Sequence, residues 1–279
     1  MFFTPDQLVE HPGFAACLQR QSAGLIGAFE GNPRLTAVFA TQQRWLMAHA
    51  ALALYFRSPE RRIKLADFFD VVALHEIASR NTADTFVKEM VHYDFARATE
   101  DERDKRTRPI EPTAESLAQV HGWLMLHLAT LDGLDGGSRY TRAMAHDDIL
   151  VRVQPLVADG LLVSPAIRKP DKTFALFTWI NSGGLVMDRI MAGISLDDIQ
   201  NDRIPTASTS AIDMVVGLAL SRGHLLRKLR AAEAIGSLGW AGKRGQSAMW
   251  ISQGFWREYA MAQAEKLVII ERAYAAGAP

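Results

Sequence analysis

The sequence predicts a mainly α-helical chain: two winged helix-turn-helix domains with small β-wings, joined by a helical, dimer-like core. Three observations carry that expectation. Apolar residues recur at helical spacing along most of the 279 residues. A short helix, a tight turn and a serine-led second helix occur twice, at Ser79-Arg80 and at Ser221-Arg222, 142 residues apart. Each pair is followed by a charged or glycine-bearing hairpin-like run and then by a long helix.

In chain order, Gln7 to Phe29 has apolar residues at Leu8, Phe14, Leu18, Leu25 and Phe29, and ends at Gly31-Asn32-Pro33. A second helix is expected from Arg34 to Phe56, bounded by Arg57-Ser58-Pro59. Leu65, Phe68, Phe69, Val72 and Ala73 form the apolar stripe of a short helix, which a turn at Ala78-Ser79 separates from the next. Glu100 to Arg108 reads as a charged hairpin. Thr113 is placed to cap a long helix through Val120, Trp123 and Leu131, which the run Leu131 to Ser138 ends with its glycines and aspartates. Helices then follow near Ala143 to Val163 and Lys172 to Ile194, the latter interrupted at Asn181-Ser182-Gly183-Gly184. A polar loop from Ser195 to Thr206 leads to a short helix, Ser208 to Leu220, and a serine-led helix runs on to Ile235. Leu238 to Ile251 has the flanking apolar residues and tip glycines of a hairpin, and Gln253 to Ala275 closes the chain as a helix.

Order and spacing divide the chain into two similar halves. Residues 1–131 hold one winged domain at about 40–112, and residues 138–279 a second at about 196–252. Ala83 and Val87 follow Ser79 at the same distances as Leu225 and Leu229 follow Ser221.

Composition excludes several classes. Hydrophobic content is 48% and charged content 22%, a globular profile. No apolar run reaches the roughly 18 residues of a membrane span, and the first residues lack the pattern of a secretory signal. The single cysteine, Cys17, permits neither an internal disulfide nor a cysteine zinc site, which fits a reduced, cytoplasmic setting. Net charge is zero, with 31 basic and 31 acidic side chains, so a polyanion partner would need a local field. One segment supplies it: from Arg222 to Arg244 there are six cations and one acid, Glu233.

The first half resembles the MarR family of winged-helix regulators. The resemblance is carried by Ser79-Arg80-Asn81-Thr82 at the start of the second helix, by Asp104-Lys105-Arg106 in the wing, and by Thr113 opening the next helix, over about residues 40–130. It departs from the family in having His92-Tyr93-Asp94-Phe95 where a glycine is usual, and in four acids within the wing. The second half is similar to winged-helix domains generally. The resemblance implies a double-stranded DNA partner, a long helix at a dimer interface, and a small, often aromatic effector held between the helices and the DNA-binding lobe. It implies no cofactor. A family subunit is about half as long and works as a homodimer, so this chain looks like a fused pseudo-dimer, either monomeric or pairing again. Two heads on successive major grooves would lie about 34 Å apart on an asymmetric or imperfectly palindromic site.

Candidate contacts follow from side-chain chemistry. On the first helix Ser79, Arg80, Asn81, Thr82, Thr85 and Lys88 form the polar face; arginine and asparagine can bond guanine and adenine edges. On the second, Ser221, Arg222, His224, Arg227 and Lys228 are the counterparts, with Arg230 serving phosphate or an internal salt bridge. In the wings Arg103, Lys105, Arg106, Lys243 and Arg244 can reach phosphates or a narrow minor groove. The second wing has no acids of its own to neutralise it. Each of these residues equally fits an ordinary solvated face. Two other readings stand beside the regulator: a winged-helix protein-interaction module, and a helical small-molecule-binding protein without DNA binding. Catalysis finds no support, because no phosphate loop, metal triad or nucleophile elbow occurs. Phe14, Phe39, Trp45, Phe174, Phe177 and Trp179 are expected to pack between the heads.

Overall fold

The computed structural model describes residues 2–32, 41–100, 108–170, 172–208, 210–211, 213–218 and 220–278. It is mainly helical, with two small antiparallel sheets. The first half contains α1 (Pro5–Glu10), α2 (Phe14–Glu30), α3 (Gln42–Arg57), α4 (Leu65–Leu74), α5 (Arg80–His92), β1 (Ala96–Ala98), β2 (Ile110–Pro112) and α6 (Ala114–Asp135). The second contains α7 (Arg139–Met144), α8 (Ile149–Val163), α9 (Pro165–Arg168), α10 (Lys172–Thr178), α11 (Gly183–Ala192) and β3 (Arg203–Pro205). A 3-10 turn (Asp213–Val215), α12 (Arg222–Ala234), β4 (Leu238–Trp240), β5 (Met249–Ser252) and α13 (Gln253–Gly277) complete it.

The packing repeats itself across the two halves. α2 lies on α11 and α3 on α8; α2 lies on α6 and α8 on α13; α1 lies on α13 and α7 on α6. Matching α1 with α7, α2 with α8, α3 with α11 and α6 with α13 sends every one of these contacts onto another in the set. Four of the six join helices of different halves, so the core is shared, and α6 meets α13 where the halves face each other. Leu124, Leu128, Leu131, Val153, Val157, Leu161, Leu267 and Ile270 fill it, each fully buried. Burying a side chain of this size stabilises by roughly 1.5–3 kcal/mol.

The small sheets also correspond. Ile63 bridges Ile110 of β2, which pairs with β1; Ile204 of β3 pairs with Ile251 of β5, which pairs with β4. Ile204 and Ile251 each stand 141 residues after their counterparts. In both sheets the last strand therefore lies in the middle.

Local chemistry explains the two serine-led helices. Ser79 Oγ accepts the Thr82 N–H and Ser221 Oγ the His224 N–H, both at 3.2 Å, satisfying an otherwise orphaned helix donor. Thr113 and Ser252 cap α6 and α13 in the same way. Both α5 and α12 stop on a left-handed residue, Asp94 (φ 60°) and Gly236 (φ 74°). The next N–H then reaches back to the helix, Phe95 to Met90 O at 2.8 Å and Ser237 to Ala232 O at 2.9 Å. Asp94 thus fills the place of the absent glycine, as a short polar side chain tolerates this conformation better than most.

Several expectations are corrected. The helix expected from Gln7 breaks at His11-Pro12-Gly13 into α1 and α2. Among the described residues of the helix read from Ser208 to Leu220, only the 3-10 turn is helical, and Gly217 takes a left-handed φ of 73°. The stretch read as one polar loop to Thr206 contains strand β3. The interruption expected at Asn181-Ser182-Gly183-Gly184 is present: α10 and α11 are divided there, with Ser182 at a φ of 58°. Residues 33–40, with Phe39, and most of the first wing lie outside the described residues.

Candidate functional site

The two serine-led helices present unlike faces. On α5, Ala83, Phe86, Val87 and Met90 are buried while Ser79, Arg80, Asn81, Thr82, Thr85 and Lys88 are exposed, as the helical period requires. Most of that polar face is engaged locally. Arg80 lies over the Phe69 ring at 4.6 Å, and Lys88 pairs with Asp84 at 2.6 Å. Thr82 Oγ1 is 2.9 Å from Ser79 Oγ, and Thr85 Oγ1 donates to Asn81 O at 2.9 Å. Arg80 and Lys88 against Asp84 and Glu89 leave the helix with no net charge.

On α12, Leu225, Leu229 and Ala232 are buried. Ser221, Arg222, Arg227 and Arg230 are exposed, and His224 and Lys228 half-buried. Four cations, Arg222, Arg227, Lys228 and Arg230, stand against Glu233, a net charge of +3. None of the four has an ion-pair partner among the described residues, which leaves Arg230 without the internal salt bridge. The hairpin corrects a second expectation. Arg244 pairs with Glu233 of α12 and stacks over Trp240 at 4.8 Å, so an acid outside the wing does neutralise it. Lys243 is exposed at the tip. Arg203, unremarked in the sequence, lies exposed over the Trp250 ring at 4.5 Å on the same small sheet. Arg103, Lys105 and Arg106 lie outside the described residues.

Between the halves lies a cavity of about 780 Å³. Its wall draws Trp45 from α3, Trp123 from α6, Phe174 from α10, Asp188 from α11, and Tyr259 and Lys266 from α13. Phe86, Met90, Phe95 and Ile110 line it from beneath α5 and the first sheet. Phe14 and Phe177 are core residues, whereas Trp179 is 53% exposed and does not pack between the heads.

A buried polar group runs along one side. Tyr259 donates to Asp188 Oδ1 at 2.7 Å, and the Ser22 hydroxyl bonds the Tyr259 oxygen at 2.8 Å. Burial pushes the Asp188 carboxyl up to about 6, and holds the Tyr259 hydroxyl well above its ordinary range. Gln154 Nε2 donates to His49 Nδ1 at 2.8 Å, and burial brings His49 down to about 3, so the ring is neutral. His127 is likewise held neutral by burial; its Nδ1 donates to Trp123 O at 2.7 Å, and Nε2 has no partner. Burial lowers the Lys266 ammonium to about 8. That residue keeps some accessible surface although protein surrounds it, as a side chain on a cavity wall does.

No family model, curated protein or solved structure matches the chain. The site therefore rests on its own chemistry. No described helix is long and apolar enough to cross a membrane.

Proposed function

We propose that the chain is a DNA-binding transcriptional regulator, a MarR-like pseudo-dimer with two winged helix-turn-helix heads in one polypeptide. Helix, turn, capped helix and hairpin recur in each half, and the shared helical core resembles a dimer interface made continuous. In this reading α5 and α12 are recognition helices, and the hairpins reach phosphate or the minor groove. The second head is the stronger reader. The observation that carries the proposal is the set of four cations on α12, Arg222, Arg227, Lys228 and Arg230, that have no ion-pair partner among the described residues and follow its capped N-terminus. Such a face gains affinity by displacing counterions from duplex DNA. Binding to duplex fragments over a range of salt tests it: affinity falls steeply as salt rises, and undetectable binding at low salt removes the proposal.

The cavity favours one addition. A small aromatic effector held there would bias the spacing of the heads, provided it binds two spacings unequally.

A further inference from the structure

One charge in the cavity has no hydrogen-bond or ion-pair partner among the described residues, although Asp188 on the same wall attracts it from a distance. Two ordinarily charged side chains sit on its wall, Asp188 and Lys266. Asp188 is engaged by Tyr259, itself bonded to Ser22. Lys266 has no hydrogen bond or ion pair among the described residues. An ammonium against an apolar wall is costly unless something polar or anionic faces it. A second polar group on the same wall is also unmatched: the Ser182 hydroxyl is buried, makes no hydrogen bond, and does not cap the helix it precedes. The rest of the wall is dominated by aliphatic and aromatic side chains, and the volume falls within the roughly 300–1,000 Å³ of small-molecule sites.

We propose that the cavity binds one amphipathic organic anion per chain, its carboxylate on Lys266 and its aromatic body against Trp45 and Trp123. The stoichiometry follows from the repeat. Lys266 stands 139 residues after His127, the same separation as Ser252 from Thr113 at the two helix caps. His127 is fully buried, neutral and bonded to its own helix, so the cationic hook exists in one half alone.

The site also joins unlike parts. Lys266 rides on α13, which starts directly from β5 of the second sheet, whereas Phe86, Met90, Phe95 and Ile110 belong to the core under α5. An occupant touching both ends ties the helix leaving one head to the underside of the other. Only this last consequence rests on the regulator reading; the binding itself does not.

The test uses the full chain without DNA, with 1-naphthoate and its neutral relative 1-naphthalenemethanol as probes, followed by tryptophan fluorescence and calorimetry. Naphthoate saturates at one equivalent per chain and quenches tryptophan emission. The alcohol binds about tenfold more weakly or worse, the loss expected when a charged hydrogen bond is removed. Lys266→Gln brings the acid to the alcohol's affinity, and Lys266→Arg retains most of the preference. Equal affinities for the two probes, two equivalents per chain, an unaffected Lys266→Gln, or no saturable binding of the acid each overturns the proposal. The acid–alcohol comparison on the unaltered chain decides it even if the glutamine variant fails to fold. A failure to bind DNA leaves this result untouched, and the converse holds.

Discussion

Removing two cations from α12 and two from α5 should have very different consequences for DNA binding. Arg227 and Lys228 have no acidic partners among the described residues, whereas Lys88 is paired with Asp84 and Arg80 is stacked on Phe69. Each phosphate contact adds about 0.9 to the slope of log affinity against log salt, so Arg227→Ala with Lys228→Ala should flatten the slope by about 1.8. Between 50 and 200 mM salt that difference amounts to roughly a 12-fold smaller loss of affinity than the unaltered chain suffers. Arg80→Ala with Lys88→Ala frees Asp84 while removing one matched charge, and should change the slope by less than about 1. Fluorescence anisotropy on a labelled duplex, titrated at several salt concentrations, measures both. Equal flattening by the two double variants, or none from the α12 pair, refutes the reasoning that the heads differ through their pairing of charge.

Other consequences concern the fold that holds these faces. Ser79→Ala and Ser221→Ala should each cost about 1 kcal/mol, close to additively because the caps serve different helices and share no partner, as read by urea denaturation; no loss from either would show that the caps carry no stability. Acid should weaken the core through His49. Its folded value of about 3 lies below the ordinary 6.5, so its contribution is complete above pH 6.5 and is lost as pH falls towards 3. The loss is on the order of 4–5 kcal/mol. Asp188 acts oppositely, its raised value favouring the fold at low pH and ceasing to do so as pH rises through 6. Denaturation at pH 7, 5 and 4 should therefore show a smaller acid loss for His49→Gln and a larger one for Asp188→Asn; identical pH profiles would contradict both assignments. At the left-handed residue after α5, Asp94→Gly should be tolerated, whereas Asp94→Val should cost roughly 1–2 kcal/mol. Matching melting temperatures for the two variants would remove that account of the helix end.

The helix starts were legible because their signal is local. Ser79, Thr113 and Ser221 each precede an apolar-periodic run, and the cap needs only a neighbour three residues on. The second hairpin was legible for the same reason, with Met249 and Ile251 alternating inward and glycines at the tip. Strand β3 escaped because three residues ending in Pro205 carry no period, and its identity comes from pairing with β5 far along the chain. The polar faces of α5 and α12 were read from spacing, and the cation excess from Arg222 to Arg244 was legible too, but which of those cations find an acidic partner was not. Glu233 meets Arg244 only because the hairpin turns back over α12. The cavity was least legible, for Asp188 on α11 and the pair Tyr259 and Lys266 on α13 lie far apart in sequence order. Asp188 after Leu185-Val186-Met187 and Lys266 before Leu267-Val268-Ile269-Ile270 were the available signals.

The central claim is that this chain reads duplex DNA with two unequal heads. Binding of the purified protein to a library of genomic duplex fragments at about 50 mM and about 200 mM salt tests it most directly. The account predicts retained fragments that share two dissimilar half-sites about 10 base pairs apart, and a marked loss at the higher salt. A protein that retains no duplex at the lower salt contradicts it.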